Sequence, residues 1–270
     1  MSTRMLEGQV ALVTGAGRGL GRAFAERLAA LGCNVAVHGM REHGPSEFGG
    51  TATLTDVAQE IADRHGVRTT KILGDLTRID DIARTVQSAE GALGPIDILV
   101  HNAGGDIAAA GGKPDPNDVV NIKPDDVRAV IERNLMSTIF VCQEVARGMM
   151  ARRRGRIVTI GSVAAFKGRT NASIYATAKA GALHFTRCLA DQMRPYDVTV
   201  NCIAPGDTRT ERFVNTRAVD PARLAEGGTL DRIATVDEVA RVIEVFASPT
   251  GAFISGQVLR VDGGGQLWAG

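Results

Sequence analysis

The sequence predicts an α/β protein in which a doubly wound parallel sheet of seven strands carries helices on both faces. Seven short runs rich in β-branched residues alternate with longer segments of helical period along the chain. The runs are almost wholly apolar instead of alternating with polar residues, as expected for strands that are covered on both faces. They occupy residues 10–13, 35–37, 69–73, 96–100, 157–160, 198–200 and 258–261.

Helices are predicted between these strands from apolar residues spaced three or four apart. The first is expected to stop at Gly32. A long amphipathic helix is predicted over about residues 124–154, where Pro124 suits the first turn, and another over about residues 173–193. Because no internal repeat or linker divides the chain, residues 1–270 are predicted to form a single domain.

Two polar segments interrupt the alternation, residues 105–123 and residues 207–230. Loops of this length in a compact domain are usually lids or binding loops, and otherwise plain surface insertions. Both follow predicted strands at the edge where open α/β sheets bind ligands, so we expect both to be substrate-side loops. Arg209 and Arg212 in the second segment are candidates to meet a carboxylate or phosphate on a substrate, with simple solvation as the alternative.

The composition is that of a soluble globular protein, with 44% apolar residues, 23% charged residues and a formal net charge of +1. This balance of charge argues against nucleic acid or an anionic membrane as a partner. No apolar run is long enough to span a membrane and no signal peptide is recognised, so a cytoplasmic location is expected.

The cysteines and histidines show no spacing that is typical of a disulfide framework or a metal site. We therefore expect no metal, and we expect the cysteines to be buried free thiols. The four cysteines are Cys33, Cys142, Cys188 and Cys202.

A glycine-rich segment, Thr-Gly-Ala-Gly-Arg-Gly-Leu-Gly, occupies residues 14–21 between the first strand and the first helix. Glycines permit a tight turn there and let backbone amides approach a pyrophosphate at the helix N-terminus. The spacing is T-G-x-x-x-G-x-G, and its position directly after a strand predicts a dinucleotide-binding turn. The candidate contacts are Gly15, Arg18, Gly19 and Leu20.

The end of the second strand bears on the choice of dinucleotide. An acidic residue there would favour NAD by binding the ribose 2′-hydroxyl, but residues 37–41 read Val-His-Gly-Met-Arg. Arg41 and Arg18 lie near the expected ribose site, and guanidinium groups suit a 2′-phosphate. The sequence therefore predicts NADP(H) in preference to NAD(H), with two solvated arginines as the alternative.

Ser162, Tyr175 and Lys179 are the residues that carry the predicted chemistry. Tyr175 and Lys179 are four apart and share one helix face, so the ammonium is expected to stand beside the phenol and lower its pKa. Ser162 follows the fifth strand and is placed to hydrogen-bond a substrate oxygen. Each residue alone has an ordinary structural reading, but together with a dinucleotide turn they indicate proton transfer coupled to hydride transfer.

These features give the chain a resemblance to the classical short-chain dehydrogenase/reductase family, in particular to its 3-oxoacyl-(acyl-carrier-protein) reductase-like branch. The resemblance covers nearly the whole chain and implies a single Rossmann-like domain. Its markers stand in family order: Thr14–Gly21, Asp75-Leu76, Asn102-Ala103-Gly104, Asn134, Ser162, Tyr175-x-x-x-Lys179, Pro205-Gly206 and Val261-Asp262-Gly263-Gly264.

The resemblance also implies roles for single residues. Tyr175 is the general acid/base, Lys179 lowers its pKa and binds the nicotinamide ribose, and Ser162 polarises the carbonyl. Asn134 holds a water in a proton relay behind Lys179. Further cofactor contacts are implied for Asp75, Leu76, Asn102, Ala103, Gly104, Pro205, Gly206, Thr208 and Thr210. Thr208 stands where the family often has Ile or Val, and a homotetramer is implied for the assembly.

The predicted function is therefore hydride transfer between NADP(H) and a small-molecule carbonyl or secondary alcohol. An NAD-dependent sugar or polyol dehydrogenase is the alternative within the same chemistry. A non-catalytic cofactor-sensing protein of the same fold is the alternative from another class. The complete set of Asn134, Ser162, Tyr175 and Lys179 favours an enzyme, because a sensor has no need of the proton donor.

Overall fold

The structure is a computed structural model and describes residues 4–48, 51–225 and 227–267. Within these ranges seven strands form one parallel sheet, which confirms the predicted fold class. The strands are β1 (Val10–Thr14), β2 (Asn34–Gly39), β3 (Thr69–Leu73), β4 (Ile98–His101), β5 (Gly155–Ile160), β6 (Val198–Pro205) and β7 (Val258–Val261). The two ends of the predicted domain and Glu226 of the second loop lie outside the described residues.

Helices cover both faces of the sheet. They are α1 (Gly19–Ala30), α2 (Leu54–His65), α3 (Ile79–Leu93), α4 (Pro124–Ile131), α5 (Ser137–Arg152), α6 (Ser173–Met193), α7 (Glu211–Asn215), α8 (Val236–Arg241) and α9 (Ile243–Ala247). Helices α1, α2, α8 and α9 pack on one face, and α3, α5 and α6 pack on the other. Neighbouring residues of a strand pack on opposite faces of the sheet. Val13 lies on the face covered by α1 and Leu12 on the face covered by α5, which explains why the strands are apolar throughout.

The order of the strands in the sheet indicates where a ligand is expected to bind. The sheet runs β3-β2-β1-β4-β5-β6-β7, so the chain reverses its direction of winding between β1 and β4. Thr14 at the end of β1 lies in register with His101 at the end of β4. A crevice outside the carboxyl ends of strands at such a switch point is the usual ligand site of an open α/β sheet.

The long helix predicted over about residues 124–154 is helical from Pro124 to Arg152, but its middle differs from the prediction. Residues Glu132–Met136 form a π-helical turn between α4 and α5. Three side chains bond backbone carbonyls four residues earlier: Asn134 Nδ2 to Val130, Ser137 Oγ to Arg133 and Thr138 Oγ1 to Asn134. Such bonds compete with the regular helical ladder, and π-turns of this kind are frequent at functional sites.

The prediction for the cysteines was wrong at one position. Cys33, Cys142 and Cys202 are buried, whereas Cys188 is exposed. It lies on the outer side of α6, beside the buried pair Leu189 and Ala190. In the described part of the chain, no helix is long and apolar enough to cross a membrane.

Candidate active site

A cavity of about 610 Å³ lies at the carboxyl ends of the central strands, between the glycine turn and the two long loops. Residues 109–113 of the first loop and Thr210, Arg212 and Thr216 of the second help to line it. It brings together ten of the residues that the sequence nominated for a cofactor. These are Gly15, Arg18, Gly19, Arg41, Asp75, Leu76, Asn102, Ala103, Gly104 and Thr210.

The glycine turn is built to receive an anion. Helix α1 begins after Arg18 with no side-chain cap and no acidic residue in its first turn, so its first backbone N–H groups are left for a ligand. Gly15 and Gly19 have φ values of +63° and +53°, in the left-handed region that favours glycine. A Cβ on Gly21 would lie 2.0 Å from the carbonyl oxygen of Gly15. The turn therefore fits the pyrophosphate of a dinucleotide.

Two buried histidines brace this turn, and the sequence analysis assigned neither of them a role. The Gly15 N–H donates to His38 Nδ1 at 3.3 Å, and His38 Nε2 lies 3.1 Å from the carbonyl oxygen of Gly74. His38 therefore ties the turn to the segment after β3. The only signal in the sequence was a polar ring at the end of an otherwise apolar strand.

His101 links the glycine turn to the π-helical segment. Thr14 Oγ1 accepts hydrogen bonds from the backbone N–H groups of Asn102 and Ala103, both at 3.0 Å, so its own proton is free for His101 Nδ1 at 3.1 Å. His101 Nε2 lies 3.5 Å from Ser137 Oγ, in the first turn of α5. This buried chain of polar groups fixes the ends of β1 and β4 against the helix that carries Asn134.

Both histidines are expected to make the fold sensitive to acid. Burial lowers the pKa of His38 to about 4 and that of His101 to about 3, against 6.5 for an exposed imidazole. Both rings are neutral in the folded protein, and the unfolded chain takes up their protons as the pH falls through 6.5. His38 alone should cost on the order of 3 kcal/mol of unfolding free energy by pH 4.

Urea unfolding at pH 7, 6, 5 and 4 measures this loss. Between pH 6.5 and 4 the free energy of unfolding is expected to fall less steeply with pH in His101→Gln, because this variant has no titrating ring at position 101. An unfolding free energy that stays constant over this interval in the unmodified protein would contradict the assignment.

The two arginines near the expected ribose site differ in their surroundings. Arg18 Nη1 donates to the carbonyl oxygen of Gly44 at 2.8 Å, its Nη2 pairs with Glu47 at 2.5 Å, and its guanidinium lies 4.6 Å from the ring centroid of Phe48. Arg41 is exposed and lines the cavity, and its side chain makes no hydrogen bond or ion pair with the described residues. Arg41 is thus the cation that remains available to a ligand at the end of β2.

Ser162, Tyr175 and Lys179 are brought together by the start of α6 and the end of β5. Lys179 Nζ lies 5.8 Å from the centroid of the Tyr175 ring and donates a hydrogen bond to the carbonyl oxygen of Ile160 at 2.8 Å. Ser162 Oγ accepts a hydrogen bond from the Ala164 N–H at 3.1 Å and is close enough to the phenol to lower its pKa. The predicted constellation therefore exists as a spatial cluster.

The pKa of the Tyr175 phenol departs from the sequence-based expectation. Burial raises it, and this effect outweighs the lowering by Ser162 and by the charges of Arg212 and Arg217; Asp106 raises it further. Burial also lowers the pKa of Lys179 to about 8. The expectation that Lys179 lowers the tyrosine pKa is thus not met in the protein alone, because desolvation dominates.

Other nominated residues lie elsewhere. Leu20 packs against the core, Pro205 ends β6, and Thr208 Oγ1 donates to the carbonyl oxygen of Gly206 at 3.0 Å. Gly206 lines a second cavity of about 730 Å³, to which Val163, the neighbour of Ser162, also contributes. Ser162, Tyr175 and Lys179 line neither cavity.

Asn134 is buried and its side chain holds the first loop. Its Oδ1 accepts a hydrogen bond from the Gly105 N–H at 2.8 Å, and its Nδ2 donates to the carbonyl oxygens of Gly105 at 2.9 Å and Val130 at 2.8 Å. A Cβ on Gly104 would lie 2.7 Å from Asn134 Oδ1, so this contact requires a glycine. The π-helical turn and the loop over the cavity are therefore one unit.

Comparison with known proteins agrees with this arrangement. The family model described as short chain dehydrogenase matches residues 9–220. Cyclohexanol dehydrogenase of Rhodococcus sp. (strain TK6) is 37% identical over 268 residues, covering 96% of each chain. The 3-oxoacyl-[acyl-carrier-protein] reductase FabG of Escherichia coli (strain K12) is 36% identical over 263 residues, covering 96% of this chain and 97% of the relative. The crystal structure of a putative gluconate dehydrogenase from Agrobacterium tumefaciens superposes with a TM-score of 0.82 at 28% identity, covering 98% of both chains.

Fold and site define a Rossmann-like oxidoreductase that acts on CH–OH or carbonyl groups with NAD(P). The chain belongs to the short-chain dehydrogenase/reductase family.

Proposed function

We propose that this protein transfers a hydride between NADP(H) and a small-molecule carbonyl or secondary alcohol, with Tyr175 as the general acid/base. The observation that carries the proposal is the cluster of Ser162, Tyr175 and Lys179 in a chain that also forms a cavity at its glycine turn. Nicotinamide, when bound, supplies or accepts the hydride, and the protein supplies orientation and proton transfer.

In the reductive direction Tyr175 donates its phenolic proton to the carbonyl oxygen. A raised pKa keeps the phenol protonated at neutral pH, which suits a proton donor. Ser162 Oγ positions and polarises the same oxygen. Lys179 provides the positive charge that stabilises the phenolate after the proton has left, and Asn134 keeps the first loop and the π-helical turn in place.

The adenine, ribose and pyrophosphate of the cofactor are held along the first cavity, and the nicotinamide end extends from it toward Tyr175 and Lys179. Arg41 and Arg18 bind the 2′-phosphate, Asp75 and Leu76 the adenine, and the N-terminus of α1 the pyrophosphate. Asn102, Ala103 and Gly104 line the adenine–ribose side. The nicotinamide end is assigned to Lys179, Pro205, Gly206, Thr208 and Thr210.

Arg41→Ala is expected to weaken NADPH binding about tenfold to a hundredfold and to change NADH binding less than twofold. The reason is that Arg41 has no partner among the described residues and is free to bind a 2′-phosphate, which NADH lacks. Dissociation constants for both dinucleotides are measured by quenching of intrinsic fluorescence. Equal losses for the two would remove Arg41 from the phosphate site.

The substrate class is tested by initial rates with NADP(H) and NAD(H) on acyl thioesters, cyclic alcohols, sugars and polyols. A sugar or polyol dehydrogenase is the second candidate, and the structural likeness to a putative gluconate dehydrogenase favours including it. We further propose that residues 105–123 and 207–230 are substrate-side loops of a single domain, since both contribute to the first cavity. A cytoplasmic homotetramer is proposed from the family resemblance, and light scattering tests the assembly.

A further inference from the structure

Arg212 on α7 is a half-buried cation that forms no ion pair with the residues that the structure describes. Its Nη2 donates to the backbone carbonyl oxygen of Asp106 at 2.9 Å, and no carboxylate of the described residues lies within ion-pair distance of it. Burial lowers its pKa, which means that the surroundings disfavour its charge. A guanidinium in such a position is usually neutralised by an anion, but the two carboxylates that act on Arg212, Glu47 and Asp106, form no ion pair with it.

The position of Arg212 is fixed by the loop on which it rests. A Cβ on Gly105 would lie 2.5 Å from Arg212 Nη1, so the guanidinium packs directly on the backbone of this glycine. Gly105 is itself held on both sides by Asn134. The charge of Arg212 also acts on the Tyr175 phenol, whose pKa it lowers. Arg212 is therefore held in place by the first loop, and its charge acts on the reacting group.

The neighbouring charges leave a positive excess at this point. Lys113 adds a second cation, and its Nζ donates only to the carbonyl oxygen of Thr216 at 3.2 Å among the described residues. Two carboxylates act on Arg212 from a distance, Glu47 and Asp106, and Asp106 also acts on Lys113. Glu47 is paired with Arg18, and Asp106 Oδ2 accepts a hydrogen bond from Asn117 Nδ2 at 2.8 Å. Arg217 is neutralised by Asp207 at 3.3 Å.

Arg209 and Arg212, the two arginines that the sequence suggested for an anion site, differ in their contacts. Arg209 Nη1 donates to the carbonyl oxygen of Leu224 at 2.8 Å, and Arg209 does not line the first cavity. Arg212 lines that cavity, and its charge interacts with the Tyr175 phenol. The anion site therefore belongs to Arg212.

We propose that Arg212, supported by Lys113, binds the carboxylate of the substrate, so that the preferred substrates are oxo acids or hydroxy acids with a free carboxylate. This inference rests on the proposed function and names its substrate class. A phosphate of the cofactor is the other source of the same anionic chemistry, because the glycine turn opens into the same cavity. The substrate is favoured because the charge of Arg212 reaches the Tyr175 phenol, and because the turn has its own phosphate donors at the start of α1.

The kinetic test compares acetoacetate with methyl acetoacetate, using NADPH as the reductant. The unmodified enzyme is expected to have the higher kcat/KM on the acid. Arg212→Ala should lower kcat/KM on the acid about tenfold to a hundredfold, mainly through KM, and should affect the ester much less. Arg241→Ala, which removes an exposed arginine paired with Asp237 on α8, is the control for net charge and should change neither value.

A binding test does not depend on turnover. Malonate is titrated by calorimetry into the NADPH-loaded protein, and Arg212→Ala is expected to lose at least tenfold in affinity while its affinity for NADPH stays unchanged. A tenfold or greater loss of NADPH affinity in this variant would assign Arg212 to the cofactor phosphates and overturn the proposal. Equal losses on acid and ester, or malonate binding that does not depend on Arg212, would overturn it as well.

These results are distinguishable from failure of the proposed function. If the enzyme reduces the ester but shows no preference for the acid, the oxidoreductase assignment is supported and the carboxylate site at Arg212 is contradicted. Turnover that persists in Tyr175→Phe contradicts the catalytic assignment, whatever Arg212 binds.

Discussion

Tyr175→Phe is expected to lower kcat by about 10²- to 10⁴-fold while the dissociation constant of the cofactor changes less than twofold. The substitution removes one oxygen and keeps the ring, so packing at the start of α6 is preserved. The lost hydroxyl is the group that Ser162 and the charges around the cavity act on. Single-turnover rates with bound cofactor separate the chemical step from binding and product release.

Tyr196→Phe is the matched control, because the chain has only two tyrosines and Tyr196 packs against the core far from the glycine turn. It should turn over at nearly the unmodified rate. If Tyr175→Phe also did so, Tyr175 would not be the proton donor and the cofactor-sensing alternative would gain support. Loss of activity accompanied by loss of cofactor binding would instead indicate a disturbed site.

The fold could be predicted because the same pattern, a short apolar run followed by a helical segment, recurs along the sequence. Each strand is a short apolar run, and in the structure neighbours such as Leu12 and Val13 are buried on opposite faces of the sheet. A sheet covered on both faces requires apolar residues at nearly every strand position. The apolar strands and the amphipathic helices between them therefore indicate the same fold. Their parallel, doubly wound arrangement then follows from the handedness of the crossovers.

The site could be predicted where its residues are close in sequence. Tyr175 and Lys179 are one helical turn apart, and the glycine turn is one continuous segment. Contacts between distant segments gave no such signal. The bond from Lys179 to the carbonyl oxygen of Ile160 and the links from His101 to Thr14 and Ser137 depend on which strand ends meet which helices.

Burial produced the clearest departures from the sequence reasoning. Proximity alone suggested that Lys179 would lower the pKa of Tyr175, but desolvation raises the pKa of the phenol and lowers that of the ammonium. The π-helical turn was also missed, because apolar spacing reports which face is buried and carries no information on side-chain bonds such as that of Asn134 to Val130.

Lys179→Met is expected to lower kcat by about 10²- to 10³-fold without lowering the stability of the fold at pH 7. Methionine has a similar length and no charge. Burying the ammonium costs about 3 kcal/mol at pH 7, since its pKa is about 8 in the folded protein and 10.5 in an exposed lysine. The variant escapes this cost and gives up the bond to Ile160, which is worth about 1–3 kcal/mol. A lysine retained at such a cost is expected to serve the reaction.

The effect of pH gives the prediction a second readout. The folded-state pKa is lowered, so the penalty in the unmodified protein is full below pH 8 and is relieved as the pH rises toward 10.5. The stability of Lys179→Met relative to the unmodified protein should therefore be less favourable at pH 10 than at pH 7, as measured by urea unfolding. Lys123→Met, at an exposed position, should keep nearly the unmodified turnover. A variant of Lys179 that unfolds more easily at pH 7 and keeps its turnover would make the lysine a structural residue.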